Sequence, residues 1–230
     1  MPDNTTDNVM QKLDWEPLHD KVYVSLRDAV MEARFQPGDR LSLRAVAGML
    51  GVSVMPVRAA VLRLVAEKAL YQAPNGTFMV PKIGQPEFDE IFFLRTELEG
   101  LAAEMAASRR TKAQLAELKS LAKDLTRSAK VGDAQSYLRI NREFKFAVVR
   151  TAAAPVLLDL VQSLWMRIGP LLSHYAEDVR SQIQIDYHDD IVAAIAAGDT
   201  AGARAAMVRD ISDGGAYLRE AAGFVGDAEE

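Results

Sequence analysis

The sequence predicts a mainly α-helical chain of two domains: a small N-terminal domain with three helices and a β-hairpin, and a C-terminal antiparallel bundle of about six or seven helices. Three observations support this fold class. The chain has 230 residues, more than one typical domain needs. Apolar residues recur at helical spacing along most of it. Between residues 70 and 80 that spacing gives way to two short strand-like runs.

The predicted domain boundaries follow changes in composition along the chain. A run rich in proline and glycine, PKIGQP, marks the connection between the domains, and both chain ends are polar. We therefore divide the chain into five parts: a flexible tail at 1–14, a first domain at 15–82, a linker at 83–87, a helical domain at 88–223 and an acidic tail at 224–230.

Three helices are predicted in the first domain. The first covers residues 17–34, where the apolar side chains lie three and four positions apart. The second covers 43–50, with Ser42 as its N-cap and Gly51 at its end. The third covers 53–68. Two short helices joined by a glycine-containing turn are typical of a helix-turn-helix.

A β-hairpin is predicted directly after the third helix. Its strands cover residues 70–73 and 77–80, and Asn75-Gly76 lies in the turn between them. Asn-Gly favours a type I′ turn, because both residues tolerate a positive φ. A hairpin beside a helix-turn-helix is the wing of a winged helix domain.

The pattern beyond the linker is helical almost throughout. Gly132, Gly198 and Gly223 stand where helix C-caps belong, whereas Gly214-Gly215 interrupts the last helix for no reason visible in the sequence. The predicted helices cover 88–109, 112–131, 134–151, 155–178 with a break near Gly169-Pro170, 181–197 and 200–222.

Composition excludes several classes of protein. The chain has no cysteine, and therefore no disulfide framework, thiolate metal site or cysteine nucleophile. We expect a cytoplasmic protein without a signal peptide or membrane span, because the N-terminus is polar and no apolar run is long enough. The segments 17–83 and 84–230 carry net charges of +4 and −6. Positive charge concentrated in one segment is typical of a nucleic-acid-binding surface.

No catalytic signature is present. The sequence lacks a G-x-S-x-G elbow, a phosphate-binding glycine loop and an H-E-x-x-H zinc motif. In His188-Asp189-Asp190, the neighbouring carboxylates point in different directions from a helix and form no acid–base pair alone. We therefore expect a protein that is not an enzyme.

Residues 41–64, LSLRAVAGMLGVSVMPVRAAVLRL, resemble the winged helix-turn-helix of the GntR family of bacterial regulators. The family pattern is Leu-Ser-x-Arg-x-Leu-Ala-x-x-Leu-Gly-Val-Ser-Arg-x-Pro-Val-Arg-x-Ala-Leu, and the match extends to Asn75-Gly76. The second domain resembles the all-helical FadR-type (FCD) effector domain, most clearly at residues 91–99, IFFLRTELE. The resemblance implies a FadR-subfamily regulator that binds a near-palindromic operator as a homodimer, more often as a repressor.

The family pattern also implies which residues contact double-stranded DNA. Arg44 matches an arginine that reaches phosphate or a base edge, and Arg58 matches one that enters the major groove and can hold guanine O6 and N7. Ser53 can contact phosphate at the start of the third helix. Asn75 and Gly76 would fit the minor groove at the tip of the wing.

The sequence departs from the family pattern at Val54-Met55, where Arg-Thr is usual. A valine donates no hydrogen bond and can at most contact a thymine methyl group. Family-level DNA binding is still expected, but the operator differs from the usual one. Val54 and Met55 could instead be plain helix surface.

Many FadR-type domains bind a metal ion through an Asp, a His one turn later and two further His. Here Asn141 and Lys145 replace the first two ligands, His188 keeps the third and Asp210 replaces the fourth. A lysine is protonated at neutral pH and is a poor metal ligand. The sequence therefore predicts a degenerate site with no metal and no cofactor, in which the Lys145 ammonium pairs with Asp210.

A small-molecule effector is the expected partner of this domain, and we expect it to carry a carboxylate. Arg95 matches a first-helix arginine that faces the ligand cavity in members binding organic acids, and it could hold a carboxylate together with Lys145. Alternatively, Arg95 pairs structurally with a helix acid such as Glu99. Phe92, Phe93 and Trp165 are predicted core residues, with the wall of a ligand pocket as the alternative. A different class of function also stays open, a helical binding or adaptor protein whose winged domain contacts other proteins.

Overall fold

The computed structural model describes residues 18–176, 187–221 and 224. It is mainly α-helical, with a small antiparallel sheet in an N-terminal domain and a C-terminal helical domain. The predicted tail at 1–14 and residues 225–230 of the acidic tail lie outside the described residues. Phe224 is described, and its ring packs at 5.0 Å from the ring of Phe88.

The N-terminal domain contains the predicted helix-turn-helix. The chain direction turns by 118° between helix α2 (Leu43–Leu50) and helix α3 (Val54–Ala66), as in helix-turn-helix motifs generally. The Ser42 side chain accepts a hydrogen bond from the Ala45 N–H at 3.3 Å, and Gly51 ends α2 with φ +64°. The elements are α1 (Leu18–Met31), β1 (Arg40–Leu41), α2 (Leu43–Leu50), α3 (Val54–Ala66), β2 (Tyr71–Gln72) and β3 (Phe78–Met79).

Two of these helices are shorter than the sequence predicts. Helix α1 ends before Ala33, which has a φ of +56°, and α3 ends before Lys68, which has a φ of +60°. The left-handed region breaks a right-handed helix, and non-glycine residues seldom adopt it. Neither position carries a glycine or proline, so no local signal in the sequence marks these ends.

The wing sheet has three strands in the order β1-β3-β2, whereas the sequence predicted two. Strand β1 has only two residues, too few to show a period of two. The predicted type I′ turn is wrong, because Gly76 has a positive φ (+82°) but Asn75 does not. The Gly76 N–H donates to the Ala73 carbonyl at 2.8 Å, as in a three-residue loop that ends on a left-handed glycine.

The C-terminal domain is built around one long helix, α4 (Gln85–Arg109). This helix packs against four others: α6 (Ala134–Thr151), α7 (Pro155–Ile168), α8 (His188–Ala197) and α9 (Thr200–Ala221). Helix α4 begins at Gln85, inside the predicted linker, because Pro86 is tolerated in a first turn and Gly84 serves as N-cap. The elements are α4 (Gln85–Arg109), α5 (Lys112–Val131), α6 (Ala134–Thr151), α7 (Pro155–Ile168), a 3-10 helix (Gly169–Ala176), α8 (His188–Ala197) and α9 (Thr200–Ala221).

Two adjacent glycines bring other elements close to α9. A Cβ atom on Gly214 would lie 2.6 Å from the Tyr175 hydroxyl, and one on Gly215 would lie 2.5 Å from the Phe92 ring. Real Cβ contacts are not this short. The Gly214-Gly215 pair is therefore required by packing against the 3-10 helix and α4.

The two domains contact each other where α1 meets α7 and the 3-10 helix. A Cβ atom on Gly169 would lie 2.6 Å from the Val30 carbonyl oxygen, so the two backbones touch there. Beside this crossing, Arg142 of α6 donates to Asp28 at 3.2 Å and to Glu32 at 2.8 Å, both on or next to α1.

The segment Pro155–Tyr175 has the length and hydropathy of a membrane span, with a mean hydropathy of 1.2. More than half of it is buried inside the protein, and Arg167 within it pairs with Glu87. These are properties of a core helix.

Candidate DNA-binding and effector sites

The exposed side of α3 presents an arginine that has no partner among the residues that the structure describes. The opposite side of the helix is buried in the domain core through Val57, Ala60, Val61 and Leu64. Arg58 is exposed, as is Arg44 at the start of α2. Neither arginine makes a hydrogen bond or ion pair with any residue that the structure describes. Both guanidinium groups are therefore available to an external ligand.

The start of α3 is also open to solvent. Met55 is 73% exposed and Val54 is 36% exposed, so neither contributes to the core. Ser53 takes the N-cap position with extended backbone, yet its hydroxyl caps no described N–H group. That hydroxyl and the first N–H groups of α3 form a polar helix start of the kind that binds phosphate.

The tip of the wing is exposed at Asn75 and Gly76. The Asn75 Oδ1 atom accepts a hydrogen bond from the Thr77 N–H at 3.0 Å, which fixes the loop. The Gln72 amide donates to the Gly76 carbonyl at 3.3 Å. The wing tip is therefore an uncharged loop that is held by its own hydrogen bonds and carries no large side chain at Asn75 or Gly76.

In the second domain, the structure brings together the four residues predicted for the degenerate site. Lys145 on α6 is buried, and its Nζ atom contacts Asp210 of α9. The same Nζ lies 3.1 Å from the sulfur of Met207. The His188 Nε2 atom lies 3.0 Å from the Asn141 Oδ1 atom, and the His188 ring packs edge-on against Phe144.

Asp210 is the charged centre of this cluster. Burial alone would raise the pKa of its carboxyl group, but Lys145, His188 and the hydrogen bonds from Lys145 and from the Tyr187 N–H together lower that pKa below its usual value. The His188 Nδ1 atom lies 3.9 Å from the second carboxylate oxygen of Asp210. Asp210 is therefore ionised at neutral pH and matched to the Lys145 ammonium.

Arg95 forms a second buried ion pair nearby. Its Nε atom donates to Glu99 at 2.7 Å, and Trp165 donates to the same carboxylate oxygen at 3.1 Å. The Arg95 guanidinium stacks on the Trp165 ring at 4.7 Å and lies 5.1 Å from the Phe92 ring. Both rings are buried as predicted, but the prediction that Phe93 belongs to the core is wrong, because its side chain faces solvent and is 64% exposed. Its two Nη groups donate to no described residue, whereas Glu99 fixes the Nε edge.

Tyr175 lies near both ion pairs and is not among the residues that the sequence predicted for the site. Burial raises the pKa of its hydroxyl group, with Arg95 acting to lower it and Asp210 to raise it further. The ring stacks on Tyr217 at 5.3 Å. Nothing in the local pattern of the sequence distinguishes Tyr175 from a core aromatic, and its approach to Gly214 follows from how the 3-10 helix packs against α9.

Comparison with known proteins supports the two-domain interpretation. Residues 18–80 match the family described as "Bacterial regulatory proteins, gntR family", and residues 90–213 match the FCD domain. The chain belongs to the GntR family. It is a DNA-binding transcriptional regulator with an FCD domain, and not an enzyme.

Several relatives of this GntR-family regulator have been described. It is 36% identical over 173 residues to the HTH-type transcriptional regulator McbR of Escherichia coli, covering 74% of this chain and 78% of that protein. It is 26% identical to a probable D-xylose utilization operon transcriptional repressor of Paenarthrobacter nicotinovorans, covering 82% of each chain. The solved structure of E. coli McbR/YncC superposes with a TM-score of 0.83 at 32% identity, covering 90% of this chain and 99% of that one.

The donor set of this GntR-family chain does not fit the metal ion that many FCD domains hold. The position expected for one ligand carries the Lys145 ammonium, which repels a divalent cation and offers no lone pair. His188 is the only imidazole among Asn141, Lys145, His188 and Asp210. Across the described residues, no three histidine, aspartate or glutamate side chains are arranged to hold a metal ion.

Proposed function

We propose that the protein binds a near-palindromic operator as a homodimer in the cytoplasm and represses transcription until a small carboxylate binds its FCD domain. A two-fold protein reads two half-sites, so each α3 would occupy one major groove. Repression is favoured by the name of the D-xylose operon relative, which is called a repressor.

The observation that carries this proposal is the exposure of Arg58 on α3 without an intramolecular partner among the described residues. An arginine held by a carboxylate would have to break that pair before it could contact a guanine. Arg58 instead offers its full planar fork, which matches the O6 and N7 atoms of guanine. Arg44, Ser53, Asn75 and Gly76 would position the domain by contacts with the phosphate backbone and the minor groove.

The test is the Arg58→Ala variant in an electrophoretic mobility assay. The probe is a duplex selected by the wild-type protein from a random-sequence library. We expect the variant to lose about 1–3 kcal/mol per half-site, which is about thirtyfold or more in affinity across two half-sites. The matched control is Arg127→Ala, which removes an exposed arginine from α5 of the FCD domain. Unchanged affinity of Arg58→Ala for the probe would overturn the assignment.

Val54 and Met55 should give the operator its individual character. Both side chains are exposed at the start of α3, where the family pattern has a hydrogen-bonding pair. Apolar side chains can contact the C5-methyl group of thymine. We therefore infer that the selected half-site carries a thymine where hydrogen-bonding family members read a different base.

We further propose that the effector is a small carboxylate held by Arg95 and Lys145. The two Nη groups of Arg95 donate to no described residue and can receive a carboxylate in a bidentate contact. The Lys145 ammonium would supply the positive charge that a metal ion supplies in other FCD domains. Stoichiometric zinc or nickel in the purified protein would contradict this replacement.

Thermal unfolding with a panel of small carboxylates and their neutral amides tests the effector class. At a concentration of 100 Kd, a ligand that binds only the folded state stabilises it by about 2.7 kcal/mol. We expect a rise in melting temperature with at least one acid and none with its amide. Arg95→Gln should abolish the rise, and Arg127→Gln should keep it. A rise caused equally by acid and amide would exclude carboxylate recognition.

A further inference from the structure

A cavity lies at the junction of the two domains. It has a volume of 410 Å³ and walls from α1 of the DNA-binding domain and from α6 and α7 of the FCD domain. Pockets of this size are large enough for a small organic molecule, and they occur preferentially at domain interfaces. Neither Lys145 nor Arg95 lines it. The cavity is therefore separate from the proposed effector site.

The lining of this junction cavity is rich in arginine. Four arginines contribute to it, together with an apolar wall that includes Phe146 and Leu158. The arginines are Arg27 on α1 and Arg139, Arg142 and Arg150 on α6. The cavity thus combines a cationic side with an apolar side.

The acids around the cavity do not satisfy these cations. Arg27 and Arg142 share one oxygen of Asp28, at 3.0 and 3.2 Å. Arg142 also pairs with Glu32, whose other oxygen is taken by Arg34. Arg27, Arg34 and Arg142 therefore share only two carboxylate groups, those of Asp28 and Glu32, which leaves one positive charge in excess.

The remaining two arginines are held loosely. Arg139 lies 3.6 Å from Glu143 and Arg150 lies 3.5 Å from Glu117, and all four side chains are about half exposed. Exposed pairs of this length contribute little and exchange readily for a better acceptor. In addition, the Nε atom of Arg142 is buried and has no acceptor among the described residues.

We propose that the junction cavity is a second ligand site, which binds an organic anion with an aromatic or aliphatic ring. The carboxylate or sulfonate group would bind to Arg139 or to Arg150, the two loosely paired arginines of the lining, since a guanidinium group binds such anions with two parallel hydrogen bonds. The ring would pack on Phe146 and Leu158. Because α1 and α6 both contribute walls, the bound anion favours the docked arrangement of the domains.

The experiment is isothermal titration calorimetry of the full chain with 1-naphthoate, which joins a flat apolar ring to a carboxylate. We expect saturable binding of one molecule per chain. Arg139→Gln/Arg150→Gln should weaken it about tenfold or more, because each hydrogen bond between charged groups contributes appreciably. The control Lys119→Gln/Arg127→Gln removes the same charge from exposed positions on α5 and should bind as the wild type does.

Two further measurements separate this site from the proposed effector site. Arg95→Gln should bind 1-naphthoate like the wild type, and neutral 1-naphthamide should bind the wild type at least about tenfold more weakly than the acid. Circular dichroism confirms that each variant is folded. Three outcomes would each overturn the proposal. The first is loss of binding in Arg95→Gln with full binding in Arg139→Gln/Arg150→Gln, and the second is an equal loss of binding in the α5 control. The third is no binding of millimolar 1-naphthoate to the wild type.

Discussion

At the scale of single residues, the FCD domain keeps a lysine where water is excluded. Lys145 is 2% exposed and is one of the largest fully buried side chains among the described residues. Removing an ammonium from water is costly unless an opposite charge accompanies it. Asp210 provides that charge, and the lowered pKa of its carboxyl group reflects the attraction. Each partner makes the burial of the other tolerable.

This mutual dependence predicts how the pair responds to mutation. Lys145→Met should lower the free energy of unfolding by about 3–5 kcal/mol, because it leaves the Asp210 carboxylate buried without a counter-charge. Lys145→Met/Asp210→Leu should recover most of that loss, since two packed apolar side chains need no partner. Urea unfolding of the three proteins measures both effects. A double variant as unstable as the single one would show that the pair itself is needed for folding.

The same pair has a defined pH dependence. The pKa of Asp210 is lower in the folded chain than its usual value, so its contribution to stability is present above that usual value. It is lost as the pH falls through the lowered pKa of the folded state. The pair therefore stabilises the domain throughout the neutral range.

At the scale of elements, α9 shows that helical glycines can be packing residues. Glycine within a helix costs about 0.5–1 kcal/mol relative to alanine. At Gly215 that cost is accepted because the Phe92 ring occupies the space of a side chain. At Gly48 on α2, apart from its chain neighbours and the backbone of its own helical turn, no atom lies within 4 Å of the position that a Cβ atom would take. The two glycines have the same helix propensity, but a side chain would be blocked at Gly215 and has free space at Gly48.

Alanine at these two positions should therefore have opposite effects. Gly48→Ala should raise the free energy of unfolding by about 0.5–1 kcal/mol, since only helix propensity changes. Gly215→Ala should lower it by about 1–3 kcal/mol, because the new methyl group displaces the Phe92 ring. Chemical denaturation of both variants decides the matter. Stabilisation by Gly215→Ala would mean that α4 and α9 can separate without loss.

Much of the element order was predictable from local signals. Helices α2, α5 and α6 begin and end where the sequence predicts. Each has an N-cap side chain next to its first residue, and α2 and α5 each end at a glycine in the left-handed conformation. Gly198 likewise ends α8 with φ +75°. Strand β1 was not predictable, since two residues carry no period and its pairing with β3 is non-local.

In the candidate effector site too, local contacts were predictable from the sequence and contacts between distant segments were not. Arg95 and Glu99 are one helical turn apart, so their pairing was among the alternatives that sequence spacing allows. The contacts of Lys145 with Met207 and of Tyr175 with α9 join segments far apart in the chain. Such contacts depend on how the helices pack, which spacing within one helix does not determine.

At the scale of the whole molecule, the charge distribution matches the division of labour between the domains. The net charge of −5 includes +4 within residues 17–83, the segment that contains Arg44 and Arg58. Local charge, and not the total, attracts a phosphate backbone. Residues 84–230 carry a net charge of −6, which repels a phosphate backbone, so we expect the FCD domain to add nothing to non-specific DNA binding.

The number of copies on the operator can be read from the salt dependence of binding. Each phosphate neutralised on duplex DNA contributes about −0.9 to the slope of log affinity against log salt. If a homodimer places Arg44 against one phosphate in each half-site, Arg44→Ala should make the slope shallower by roughly 2; a single bound chain would change it by roughly 1. Fluorescence anisotropy with the selected operator at several salt concentrations measures the slope. Arg127→Ala should leave it unchanged, and an unaltered slope for Arg44→Ala would remove that residue from the interface.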